Sequence, residues 1–248
     1  MHAIFGDACA QIRALAATRP HARSPMNALT EVTPPARTYR GETADTRRQQ
    51  RRVKLLEAAL DCFAAHGIAR TTMRDICSQA RLTDRYFYEA FRNTGDAYEA
   101  VYAWQKGLLL ERILGDMADA PPTLIEQARS GLSAFYTFLR EDPRRAHVLL
   151  IDGINPSTQA RSECARQAVA QYIPLIRAAA LRIYPRIKRD FNIDMMAWGL
   201  LGMAVQVGSV WARDGFQQPL AEVLDHNLYA WRGLDQWVEG MIAAKQAA

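Results

Sequence analysis

Between Thr72 and Phe91 the sequence places two short helical signals around a turn of three residues, and few folds accommodate that spacing. Thr72 precedes Met73 and Ile76, with Asp75 three positions on, a capping-box pattern that starts a helix running through Ala80. Arg81, Leu82 and Thr83 form the turn, and Thr83 or Asp84 is placed to cap the next helix, which carries Tyr86, Phe87, Tyr88 and Phe91. Two short helices across a tight turn make a helix-turn-helix, in which the second helix lies in a major groove and the first braces it across the backbone. Upstream, Val53, Leu56, Ala59, Leu60 and Phe63 recur at three and four residues and predict a first helix from Thr46 to Gly67, a natural C′ residue.

The rest of the chain is punctuated in the same way. Ala97, Val101, Trp104, Leu108 and Ile113 continue a helical period from Gly95. Further helices are predicted at 123–140, 143–151, 157–184, 191–213 and 219–243, separated by Asp142-Pro143, Asn155-Pro156, the Pro185 region and the Gly215 to Pro219 turn. No run alternates like a strand, so the expected class is all-α: a three-helix unit at 46–93 on a larger helical body at 94–248. Residues 1–45, interrupted by Pro20, Pro25, Pro34 and Pro35, read as a disordered leader, and Met26 is a second candidate start. Asp7 and the lack of a long apolar run argue against an export signal.

The net charge of +5 lies within Arg37 to Arg92, where twelve basic residues face seven acids; outside it 19 basic residues balance 19 acids. That is the asymmetry of a surface for polyanions. The excess of Arg over Lys is read as genome composition rather than as function. Cys9, Cys62, Cys77 and Cys164 form no C-x-x-C pair and no cluster with His, so neither a zinc site nor a disulfide framework is suggested. Cys62 and Cys77 fall on apolar helix faces and read as small core residues. No Gly-rich phosphate loop, nucleophile elbow or metal-spaced His pair is present, so no enzyme, metal or cofactor is expected. An all-α enzyme assembled from distant carboxylates stays as an alternative.

Leu56-Glu-Ala-Ala, Phe63-Ala-Ala-His-Gly67, Thr71-Thr72-Met-Arg-Asp-Ile76 and Thr83 to Phe91 together resemble the DNA-binding domain of TetR-family transcriptional regulators. The resemblance covers about residues 48–102, with the motif at about 72–91. It implies that Thr71 and Thr72 open the second helix against phosphate, and that Thr83, Asp84, Arg85, Tyr86 and Tyr88 belong to the recognition helix. Arg85 is placed to reach guanine and the Tyr88 hydroxyl to reach phosphate, while Phe87 and Phe91 face the core. Asp84 either caps the helix or reads cytosine. Arg74 and Arg92 are phosphate contacts or solvated charges; Arg47, Arg48, Arg51 and Arg52 are a basic arm or a solvated helix face. Two residues depart from the family pattern: Arg81 stands where Gly is usual, and Thr94 where Lys or Arg is usual. A left-handed Arg81 costs on the order of 1 kcal/mol relative to Gly, so the turn is strained or shaped differently. Thr94 is placed to cap the fourth helix and to offer phosphate a hydroxyl.

In the body, Met195 to Ala212 is an 18-residue uncharged run, just long enough for a membrane span. Gln206, Ser209 and the glycines Gly199, Gly202 and Gly208 favour instead a buried helix approached closely by a neighbour. The next helix repeats Leu220, Leu224, Leu228, Trp231 and Val238. The two resemble the family's four-helix dimer interface, which makes Gly202, Leu220, Leu224, Leu228 and Trp231 the dimerisation residues. A twofold dimer presents its recognition helices about 34 to 36 Å apart, hence a pseudo-palindromic operator on double-stranded DNA. The resemblance also implies an effector pocket in the body, for which Trp104, Phe135, Phe138, His147, Tyr172 and Trp198 are the candidate lining, with Asp152 and Arg177 as further polar groups. The resulting expectation is a cytoplasmic homodimeric regulator, a repressor rather than an activator, released by an unidentified small molecule and without a membrane partner. The competing class is a helical interaction module with a degenerate DNA-binding unit, motivated by Arg81 and Thr94.

Overall fold

The computed structural model describes residues 44–151, 170, 172–185 and 191–246. The chain divides into two compact units, Met1–Arg47 and Arg48–Ala248. Of the first unit only the opening of a helix is described, two residues earlier than expected; residues 1–43 of the anticipated leader lie outside the described residues, as does Asp152. Among the described residues there is no strand, and the all-α class holds.

Helix α1 (Ala44–His66) ends at Gly67, whose φ of 73° is left-handed and whose N–H donates to the Phe63 carbonyl. Helix α2 (Met73–Ala80) starts on the expected capping box, Thr72 and Asp75 bonding each other's backbone N–H. It stops at Arg81 in a Schellman arrangement: Leu82 N–H donates to Cys77 O at 3.0 Å and Arg81 N–H to Ser78 O at 3.1 Å. This closure demands a left-handed residue, and Arg81 adopts φ 53°, ψ 44°. Helix α3 (Asp84–Ala90) follows, and Leu55, Phe63, Ile76, Phe87 and Phe91 close the core of the three helices.

Helix α4 (Thr94–Ala118) is capped by the Asn93 side chain on Asp96 N–H, not by Thr94, which is its first helical residue. Helix α5 (Leu124–Glu141) is capped by Thr123. The single helix expected at 143–151 is instead a short α6 (Pro143–Ala146), capped by Asp142, running into a π-helical turn at His147–Ile151. That turn buries Val148, Leu149 and Leu150 in succession, a wider inward face than an α-turn presents. Helix α7 (Ile173–Ile183) is the end of the helix expected from 157, the remainder of which lies mostly outside the described residues. Helices α8 (Ile193–Arg213) and α9 (Leu220–Gln246) complete the body. By length and composition α8 is apolar enough to cross a membrane, but one face of it, with Ala197, Leu200, Ala204 and Trp211, is buried in the fold.

A candidate nucleic-acid interface and an apolar cavity

Phe87 is fully buried, and this orients the rest of α3. Arg85 and Tyr88, three residues apart on the far side, are exposed, Tyr88 by 62%. Thr83 holds the N-cap position in an extended conformation but makes no side-chain cap. Asp84 is the first helical residue, and its carboxylate, beside the Cys77 thiol, adds to the upward push that burial gives that thiol. The expectation that either side chain caps α3 is therefore corrected.

Thr71 is also corrected as a phosphate contact. Its hydroxyl is buried, within hydrogen-bond distance of Cys62 O at 3.1 Å and Gly67 O at 2.9 Å, so it ties the end of α1 to the start of α2. Thr72 is exposed, but its hydroxyl donates to Asp75 Oδ2 at 2.7 Å; with the Thr72 amide it holds the Asp75 carboxyl below the usual carboxylate range. Arg47, Arg48, Arg74 and Arg92 are exposed. Arg92 turns toward Asp96, whose carboxyl is lowered by hydrogen bonds from the Arg92 backbone and side chain.

Arg51 and Arg52 are half-buried against α3 rather than extended as an arm. The Arg51 guanidinium lies 4.4 Å over the Tyr86 ring and 3.9 Å from Glu89. Arg52 donates to the Ala90 carbonyl at 2.8 Å, one of the last carbonyls of α3, and lies 4.8 Å over the Phe91 ring. Tyr86, expected among the DNA contacts, is thus half-buried beneath Arg51. The bracing pair was not legible because periodicity puts a residue on a helix face without saying which neighbour that face meets.

Within the body a cavity of about 580 Å³ is walled by Tyr102, Lys106, Leu109, Ile113 and Met117 of α4, Gln127, Gly131 and Phe135 of α5, Leu149 and Leu150 of the π-turn, and residues of α7, α8 and α9. The Gln127 amide donates to the carbonyls of Met117, Ala120 and Pro121 and closes the α4–α5 corner. Of the candidate effector residues, Phe135 and Tyr172 line this wall. Trp104, Phe138, His147 and Trp198 do not. Trp104 sits about 200° around α4 from Tyr102; Phe138 is buried under the Arg145 guanidinium at 4.1 Å; His147 points to solvent; Trp198 is half-buried off the wall.

The wall is tied to the DNA-binding unit. Val148, next to Leu149 and Leu150, accepts a hydrogen bond at 2.9 Å from the buried Tyr98 hydroxyl, and the Tyr98 ring meets Phe63 edge-on at 5.3 Å. Arg144 of α6 is held by Asp142, donates to Asp61 of α1, and lies 3.8 Å from Glu57.

The outer face of the body is not the one expected. Leu228 and Trp231 are buried in the chain's own core and Leu220 and Leu224 pack partly against it, so these four are corrected as partner contacts. Their stripe is met by apolar surface within the same chain. Gly202 does face outward, in a row with Met195, Gly199, Gln206 and Val210 of α8, and α9 exposes Tyr229, Gly233, Gln236 and Trp237.

An exposed helix braced across a tight turn, followed by a helical body with a cavity, is a helix-turn-helix unit joined to an all-helical body. Residues 55–101 match the family model for bacterial regulatory proteins of the TetR family, the stretch that holds the helix-turn-helix. A probable acrEF/envCD operon repressor of Escherichia coli is 27% identical over 103 residues, 40% of this chain and 46% of that relative, so less than half of the curated relative's length is spanned. Among the solved structures that share the fold are two regulators from Bacillus. One is the fatty acid degradation regulator FadR of Bacillus halodurans, at 15% identity and TM-score 0.65, covering 73% of this chain and 94% of that one. The other is FadR of Bacillus subtilis in complex with stearoyl-CoA, at 17% identity and TM-score 0.64, covering 72% and 96%.

Proposed function

We propose that the protein is a cytoplasmic homodimeric repressor that reads a pseudo-palindromic operator and leaves it when a small apolar molecule enters the cavity. The observation that carries this reading is the path from Leu149 and Leu150 on the cavity wall, through the Val148 carbonyl and Tyr98, to Phe63 in the core under the recognition helix. A ligand that changes the packing of the π-turn has differential affinity for the two placements of the DNA-binding unit, which release requires. Stearoyl-CoA in the Bacillus subtilis neighbour, a ligand with a long apolar acyl chain, supports a ligand with an apolar part for this body.

On the DNA side, Arg85 and Tyr88 contact base edges and phosphate, with Thr72, Arg74, Thr83, Asp84, Arg92 and Thr94 around them and Arg47 and Arg48 toward the flanking backbone. The outer row of α8 and α9, with Met195, Gly202, Val210 and Trp237, is the surface for the second copy; its glycines present no side chain to hold the helices apart.

The test is selection of genomic DNA fragments on the purified full-length protein at about 0.15 M salt, with sedimentation to measure its mass. An enriched palindrome and a dimeric mass are expected, and Gly202→Glu should yield monomers and lose the palindrome. A folded dimer that enriches nothing would overturn operator recognition, and a monomeric wild type at micromolar concentration would overturn the twofold reading.

A further inference from the structure

We propose that Glu89, with Arg51 behind it, is a positioning residue that holds the Arg85 guanidinium for a guanine, so that an acid which reads no base sets how sharply α3 discriminates; this rests on operator recognition through α3. Arg85 and Glu89 stand four residues apart on the exposed side of the helix, and Arg85 Nε donates to Glu89 Oε1 at 3.1 Å. The other carboxylate oxygen, Oε2, lies 3.9 Å from Arg51 of α1, whose guanidinium is stacked 4.4 Å over the Tyr86 ring. An exposed pair on one helix fixes little by itself, but here the carboxylate is also held from a second helix: the Glu89 side chain is 34% exposed and that of Arg85 84%. With Nε engaged, the N–H groups of Nη1 and Nη2 remain, and their outer pair is the fork that matches guanine N7 and O6.

The charge of Glu89 agrees with this role. The residue falls in the last turn of α3, where a carboxylate meets the negative end of the helix dipole, and on the face offered to phosphates, where it opposes general attraction to DNA. It weakens the helix and the non-specific contact alike; what it supplies is order. An untethered arginine gives up the freedom of a long side chain when it docks on a base, and it can swing to a neighbouring phosphate instead. Arg85 is tethered before it docks. Glu89 thus lowers affinity for any duplex and raises the preference for the one base pair that the fork fits.

The experiment titrates the full-length protein, at about 0.15 M salt, with its selected operator, with the same duplex carrying A·T in place of each G·C pair in turn, and with a random duplex of equal length. Arg85→Ala locates the base pair that Arg85 reads, as the one at which discrimination is lost. At that pair Glu89→Ala should lower discrimination by about three- to tenfold, the ordering cost of one long side chain. The random duplex should bind Glu89→Ala as tightly as wild type or up to about threefold more tightly, one opposing charge being removed. Glu89→Gln keeps an acceptor oxygen for Arg85 without the charge, so it should match Glu89→Ala on the random duplex yet stay within about twofold of wild type in discrimination. In the Arg85→Ala background Glu89→Ala should change discrimination at no pair. A lower melting temperature with both duplexes weakened together would make Glu89 a structural brace, and both tightened with their ratio unchanged would make it a repelling charge; either result overturns the proposal, as does discrimination falling equally at every pair. If Arg85→Ala alters no pair, the guanine contact and the role of Glu89 fall together while the operator stands. If no operator is enriched, operator recognition itself fails, and this role with it.

Discussion

Replacing Arg81 by glycine is expected to stabilise the protein, although it removes a charged side chain from the edge of the DNA-binding unit. The reason is the closure of α2: the two hydrogen bonds from Leu82 and Arg81 N–H require the left-handed backbone that Arg81 adopts at φ 53°. For a residue with a Cβ this conformation costs roughly 1–2 kcal/mol, and glycine removes the cost. Glycine also loosens the unfolded chain, which takes back about 0.4–1 kcal/mol. The net expectation is a gain of about 0.5–1 kcal/mol, or roughly 1–4 °C in Tm for a chain of this size. The Arg81 side chain is exposed and makes no ion pair or hydrogen bond among the described residues, so few contacts are lost. Urea unfolding of wild type, Arg81→Gly, Arg81→Asn and Arg81→Ala separates backbone from charge. Asn tolerates the left-handed region and should fall between Gly and wild type, whereas Ala keeps the steric penalty and should gain nothing. An alanine variant as stabilised as the glycine variant would refute the backbone account and point to charge.

Arg52→Met should cost about 1–2 kcal/mol in urea unfolding, because the Ala90 carbonyl loses its donor and the Phe91 face its cation; an unchanged midpoint would remove the bracing role. Tyr88→Phe should weaken binding to the selected operator by about 0.5–1.5 kcal/mol without altering the melting curve, and equal affinity would deny its hydroxyl a phosphate contact. Hydrogen bonding to Arg144, aided by the charges of Arg144 and Arg145, holds the Asp142 carboxyl below its unfolded value. Its folded pKa being depressed, the stability it contributes is complete above the unfolded range near about pH 4 and is lost as pH falls through the folded value. Asp142→Asn, which keeps a capping oxygen, should therefore lose less stability than wild type between about pH 5 and pH 3. Parallel loss in the two proteins would exclude this linkage.

The helix-turn-helix was legible because its signals are local. A capping box, a glycine at a helix end and an apolar stripe act over three to seven residues, and Thr72, Asp75, Gly67 and Phe87 stand as their pattern requires. The departure at Arg81 was legible too, but only the structure chose between a strained turn and a different one. Local signals failed where several residues competed for one role. Asn93 rather than Thr94 caps α4, and neither Thr83 nor Asp84 caps α3 by its side chain.

Long-range placement escaped the sequence for a different reason. Helical period says which residues share a face, not which neighbour that face meets, so the Leu220 to Trp231 stripe was assigned to a second copy although its own chain buries it. The same ambiguity put Trp104, Phe138, His147 and Trp198 on a wall that they do not line, and left Arg51 and Arg52 without their role against α3. The sequence by itself determined the helical class and the two helices and turn of the helix-turn-helix, because hydrogen bonding within a turn and apolar periodicity suffice for these. Only the tertiary structure decided that Thr71 lies inside, that α6 opens into a π-turn, and that this turn joins an apolar cavity to the core that α3 packs against. These are consequences of which surfaces pack together, a choice set by the summed burial of many distant residues rather than by any segment alone.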